Sequence, residues 1–167
     1  MGEIASIVLL VLLGLLLVSA GIEDARIREI ANWKNAAIAL LAVPFWFANG
    51  LALWPDMAWQ IGIALVVLLV FAAAFHFRLM GGGDVKMIAA LALWFPLGQL
   101  VTMLIVMSLA GGAITFLMLI DKWLRRKTAQ PEVPYGLAIA IAAVLVLREP
   151  IFYHFVGMLN RAETRSM

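Results

Sequence analysis

Residues 4–22 read IASIVLLVLLGLLLVSAGI, 19 residues without a charge between Glu3 and Glu23. A helix needs roughly 20 apolar residues, rising about 1.5 Å each, to cross a hydrocarbon core of about 30 Å. The run has that length, and Glu23, Asp24, Arg26, Arg28 and Lys34 follow it at once. A secretory signal would open with basic residues, whereas this run is preceded by Met1, Gly2 and Glu3. It reads as an uncleaved transmembrane helix.

The same count continues down the chain. Lys34 and Asp56 bracket 21 uncharged residues, Asp56 and Arg78 another 21, and Lys86 and Asp121 bracket 34. A single helix over that last stretch would be about 51 Å long, too long for one crossing. The turn signal Phe95-Pro96-Leu97-Gly98-Gln99 divides it. A final apolar stretch opens at Pro134, a residue suited to the first turn of a helix, and stops at Arg148-Glu149-Pro150. The expected fold is an all-α polytopic membrane protein, a bundle of six transmembrane helices with no soluble domain. The helices are expected at about 4–22, 35–53, 57–77, 84–95, 100–120 and 134–148, within one membrane-embedded domain that ends in an interfacial tail at 150–167.

Composition agrees with this reading. Of 167 residues, 65% are hydrophobic and 13% charged, and the mean hydropathy is +1.05. Soluble domains carry about 25% charged residues. Disorder, a nucleic-acid-binding module and an ordinary soluble enzyme are excluded on these grounds. Without Cys there is no disulfide, thiolate nucleophile or cysteine zinc site. His76 and His154 are too few for a metal centre, so neither metal nor cofactor is expected.

Charge placement sets the expected orientation. Of the 12 Lys and Arg residues, 9 fall in the first, third and fifth loops: Arg26, Arg28 and Lys34; Arg78 and Lys86; Lys122, Arg125, Arg126 and Lys127. The turns near Trp54-Pro55-Asp56 and Pro96-Leu97-Gly98 hold none. Basic loops stay on the cytoplasmic side, so the odd loops are expected there and both termini on the other side. Any chemistry must then occur inside the bundle or at its cytoplasmic rim.

That rim carries two aspartates, Asp24 directly after the first helix and Asp84 directly before the fourth. Two neighbouring carboxylates cannot both ionise easily, and one can keep a proton while the other is charged. Such a pair can activate water and polarise a scissile carbonyl without a metal or covalent nucleophile. Gly81-Gly82-Gly83, just ahead of Asp84, would permit torsions that other residues avoid and a close approach by an extended substrate. Each feature also has a plainer reading. Asp24 alone is a solvated loop carboxylate near Arg26 and Arg28, the glycines a flexible turn, Asp84 a helix cap, and Lys86 an interfacial charge.

These segments resemble the type IV prepilin peptidases, membrane aspartic proteases of the GxGD type, and in particular the short form associated with tight-adherence pili. Gly81-Gly82-Gly83-Asp84 is similar to GxGD, with Val85-Lys86 continuing it. Asp24-Ala25-Arg26-Ile27-Arg28-Glu29-Ile30-Ala31-Asn32-Trp33 resembles the family stretch D-x-R-x-x-x-I-P-N, with Ala31 in place of proline. Val133-Pro134-Tyr135-Gly136-Leu137-Ala138 resembles the entry to the last helix. The resemblance implies Asp24 and Asp84 as the catalytic pair and Gly81, Gly83 and Lys86 as the motif that docks substrate. It implies removal of a basic leader, just after a glycine, from a prepilin at the cytoplasmic face of the bacterial inner membrane. Longer relatives carry a cysteine-bearing methyltransferase domain, for which this chain has neither Cys nor room. The expected partners are the prepilin and membrane lipid, and no nucleic acid. A non-catalytic scaffold of a pilus or secretion system is the alternative. A transporter is disfavoured, because the spans have almost no ionisable residue at mid-depth.

Further expectations follow from position. His76 reads as an interfacial hydrogen-bonding residue. Ser108 and Gly112 form a small-xxx-small pair suited to close helix packing. Trp33, Trp54, Trp94 and Trp123 read as an aromatic belt. Lys122, Arg125, Arg126 and Lys127 read as lipid contacts.

Overall fold

The computed structural model describes residues 2–125 and 135–148, which form six α-helices and no strand. They are α1 (Gly2–Ile27), α2 (Asn32–Ala48), α3 (Ala58–His76), α4 (Gly82–Ala92), α5 (Leu97–Arg125) and α6 (Tyr135–Arg148). An irregular turn over Leu53–Met57 leads into α3, with Trp54 extended and the Trp54–Pro55 bond cis. Three helical stretches, Gly2–Ile27, Leu53–His76 and Leu97–Asp121, are long and apolar enough to cross a membrane. The expected tail at 150–167, with His154, and residues 126–134 lie outside the described residues.

Buried positions on α1 are Ser6, Leu10, Leu13, Leu17, Ala20, Gly21 and Asp24. Steps of three and four keep them on one face of a helix with 3.6 residues per turn. Val8, Val11, Leu15, Val18 and Ile22 point outward and are exposed. An apolar exterior of this kind suits lipid and not water. Asp24 thus continues the inward stripe. It does not follow the helix, as the sequence suggested, but lies inside it. The helix runs past the apolar stretch because Glu23 to Arg26 tolerate helical torsions. It closes at Arg28, whose φ of 59° is a left-handed terminating conformation and whose N–H bonds the Asp24 carbonyl at 3.0 Å.

α4 occupies the middle of the bundle. It packs against α2 and α3 and touches α5, and most of its residues, from Asp84 to Ala92, are buried. With 11 residues it is about 16 Å long, half a hydrocarbon core. Ending a helix inside an apolar bundle leaves carbonyls with no water to bond, which is costly. Side chains from neighbouring helices supply the donors. Gln60 Nε2 donates to the carbonyls of Ala92 (2.7 Å) and Phe95 (2.6 Å), and Trp46 Nε1 to that of Leu93 (2.8 Å). Trp94 Nε1 donates in turn to the Ile38 carbonyl at 2.8 Å.

Two expectations need correction. Trp94 is buried, 5% exposed, and belongs to this core network, whereas Trp33, Trp54 and Trp123 are exposed as a belt would be. Ser108 is exposed with its hydroxyl turned back to the Leu104 carbonyl, and a methyl at Gly112 would meet nothing within 4 Å among the described residues. The packed face of α5 lies one residue away, through Met103, Met107 and Gly111, with the Tyr135 ring 3.6 Å from a methyl placed on Gly111.

Candidate active site

Four segments meet at one end of the bundle: the last turn of α1, the α1–α2 turn, the start of α4 and the start of α6. Asp24 and Asp84 are both buried there, 5% and 8% exposed. Asp24 Oδ2 accepts a hydrogen bond from the N–H of Leu137 at 3.0 Å. The first N–H groups of a helix have no partner within it, and a carboxylate is a strong acceptor for them. α6 therefore starts on Asp24.

Asp84 is the third residue of α4 and reaches back to the N–H of Gly81, the capping residue, as the acidic member of a capping box does. Gly81 has φ −73° and ψ 147°, torsions open to most residues. Its missing side chain provides space instead, for a methyl there would sit 2.9 Å from Asp84 Oδ2. This corrects the torsional argument for the triple glycine. Gly83 also provides space, with a methyl placed 3.3 Å from Ile30 Cβ, while its carbonyl accepts from Asn35 Nδ2 at 3.1 Å. Gly136 lies against both Ile30 and Asp24, where a methyl would come within 2.6 Å of Ile30 Cδ1 and 2.9 Å of Asp24 Cγ. Ile30 is thus a wedge between the α4 and α6 glycines. Lys86 is exposed and donates to Asn32 Oδ1 at 2.8 Å, tying α4 to the start of α2.

The two carboxylates sense each other. Burial first, and then the charge of Asp24, push the Asp84 carboxyl up to about 6 from an ordinary 3.8, against a smaller opposing effect of the Gly81 N–H. Asp84 stands at the head of a helix too short to cross and outside the three candidate spans. Low polarity penalises the anion, and a second carboxylate nearby penalises it again. The arrangement can hold one proton between two acids close to neutral pH.

Gly81, Gly83, Asp84 and Asp24 are brought together, and Lys86 stands at the edge. His76 is apart, exposed at the end of α3 with its ring edge-on to Phe77. No cluster among the described residues could hold a metal ion. Sequence reasoning missed Ile30, Asn35 and the Leu137 N–H. It also missed Lys34, which is buried on Glu23 and Ser19. Neither the burial of Lys34 nor the inward phase of Asp24 on α1 has a local signal, because α1 is apolar all round.

A family model for type IV leader peptidases matches residues 10–116, which include both aspartates and the glycines. The chain belongs to the type IV leader peptidase family. No curated protein and no solved structure matches it. Membership makes the apolar helices those of an integral membrane protein and the activity class that of a leader peptidase acting on prepilin-like substrates. The family match ends before α6, so the contact between Asp24 and Leu137 is a property of this structure and not of the matched stretch.

Proposed function

We propose that the protein is a GxGD-type aspartic endopeptidase whose catalytic pair is Asp24 and Asp84. In this reading it cuts the basic leader from a prepilin at the cytoplasmic face of the bacterial inner membrane, with its six helices embedded in the membrane and both termini outside. The observation that carries the reading is the convergence of two buried carboxylates from residues 60 apart in sequence, one of them raised to about 6 partly by the other.

The chemistry follows from that pairing. Asp84, with the higher affinity for a proton, carries it, and Asp24 is the anion. Asp24 takes a proton from water as the oxygen attacks the carbonyl carbon of the scissile bond. Asp84 gives its proton to the carbonyl oxygen, so the tetrahedral intermediate forms without a separated charge. When the intermediate collapses, the C–N bond breaks. The proton held by Asp24 passes to the leaving amine, and the diol returns one to Asp84. The substrate must arrive extended, since a helix shields its own peptide bonds. Exposed Gly81 offers backbone beside Asp84, and Lys86 stands two residues further on.

Co-expression with candidate prepilins, followed by N-terminal sequencing of the product, tests the reading. Asp24→Asn and Asp84→Asn should each abolish cleavage at matched protein levels. Asp56→Asn, which alters a carboxylate bonded to the Ala52 N–H in a distant turn, should leave it near normal. Near-normal cleavage by either dyad variant would sink the proposal and favour a scaffold.

A further inference from the structure

Next to the dyad lies an ion pair that the chemistry does not use. Lys34, in the first turn of α2, is 6% exposed. Its Nζ is 2.9 Å from Glu23 Oε2, 2.7 Å from Ser19 Oγ and 3.2 Å from the Ser19 carbonyl. The ammonium therefore has three oxygen partners, all on the last turns of α1. The same Glu23 oxygen accepts the N–H of Ala31 at 3.4 Å. Two bonds thus converge on Glu23, one from the α1–α2 turn and one from the first turn of α2, and Glu23 is the residue immediately before Asp24.

A buried lysine is expensive unless its partners are all in place, so such a cluster has essentially one geometry. That geometry fixes the turn carrying Ile30, the wedge against Gly83 and Gly136. Ala31 itself has φ −58°, a value a proline ring would impose by itself, and an extended ψ of 130°. The turn thus holds a proline-like conformation without a proline, and the pair supplies the constraint from outside.

We propose that Lys34 and Glu23 are positioning residues: their ion pair clamps the α1–α2 turn and so holds the Asp24 carboxylate in register with Asp84. The proposal rests on the peptidase reading for its kinetic consequence, but not for its structural one. A merely stabilising pair would change how much protein folds. A positioning pair changes turnover by the folded enzyme, because displacement of a reacting group by about 1 Å can cost about a hundredfold in rate.

The test uses purified full-length enzyme in detergent, a prepilin substrate, and amide hydrogen exchange over residues 23–33. Lys34→Met should lower kcat at least tenfold, leave KM within twofold, and speed exchange in that segment. Ala31→Pro fits the existing φ and restrains the turn covalently, a gain set against loss of the long 3.4 Å bond from the Ala31 N–H to Glu23. Added to Lys34→Met, it should restore most of kcat and slow exchange again, a rescue that a general loss of stability would not show. If Lys34→Met does not fold, the double variant should fold and cleave. Wild-type kcat and exchange in Lys34→Met would overturn the proposal, as would failure of Ala31→Pro to restore either quantity. Full activity in Asp24→Asn would sink the peptidase reading instead, while the exchange result would still decide whether the pair clamps the turn.

Discussion

The Asp24 carboxylate accepts the backbone N–H of Leu137 at 3.0 Å, joining the last turn of α1 to the first turn of α6 across 113 residues of chain. Asp24 therefore has two tasks, electrostatic partner of Asp84 and acceptor for the start of a helix. The close contact at Gly136 enforces both, because any larger residue would separate α6 from Asp24. Gly21 does the same one turn earlier on α1, where a methyl would lie 2.9 Å from Ala140 Cβ.

Stability should depend on pH through Asp84. Its folded value, about 6, is above the ordinary 3.8, so between these values the folded state binds more protons than the unfolded one. The resulting stability is complete below the ordinary value and is lost as pH rises through about 6, at about 1.4 kcal/mol per pH unit within the window. Melting temperature in detergent should fall from pH 4 to pH 6.5 more steeply in wild type than in Asp84→Asn. Asp24→Asn should reduce the slope by removing the second cause of the shift. Parallel curves for wild type and Asp84→Asn would show that Asp84 is not raised.

The glycines should separate by what faces them. Gly81→Ala places a methyl 2.9 Å from Asp84 Oδ2, and the carboxylate is what must move. Cleavage should fall roughly a hundredfold with little change in melting temperature. Gly83→Ala presses on Ile30 and should cost about 1–3 kcal/mol of stability as well as activity. Gly82→Ala, 3.4 Å from the edge of the Phe75 ring, should be the mildest. Rate and melting temperature measured for each purified variant would check this order. Equal, stability-limited losses would reduce the three to a hinge.

Gln60 should matter for stability and not for turnover. Gln60→Leu removes the donor to the carbonyls of Ala92 and Phe95 and leaves them buried without it. The expected cost is about 1–3 kcal/mol. The folded fraction should cleave at the wild-type rate, because Gln60 acts at the far end of α4 from Asp84. Active-site titration beside thermal unfolding would separate the two quantities.

Orientation can be read from cysteine labelling, since the chain has no Cys of its own. Single cysteines at Thr128 and Asn160 should behave oppositely toward an impermeant thiol reagent on intact cells. Position 160 should label and position 128 should not. The reverse pattern would invert the proposed topology.

The membrane character, the helical class and the two motifs were legible in residues 4–22, 24–33 and 81–86 taken one at a time, because hydrophobic runs and short motifs are local. Helix limits were less legible. α1 continues past Ile22 to Ile27, since a charged turn can remain helical once it leaves the apolar stretch. The inward face of α1 was hidden as well: the helix is apolar all round, so hydrophobicity does not distinguish the lipid side from the bundle side.

The sequence by itself determined that this is a membrane protein and that Asp24 and Asp84 each stand at the end of an apolar helix. Only the tertiary structure decided that Asp84 is buried within reach of the charge of Asp24, that α6 begins on Asp24, that Lys34 is buried against Glu23, and that Gly83 and Gly136 accommodate Ile30. Spacing along a chain sets length and local torsion. Which faces of uniformly apolar helices come together is set by close packing and by finding a partner for every buried polar group, and both conditions involve residues far apart in the chain.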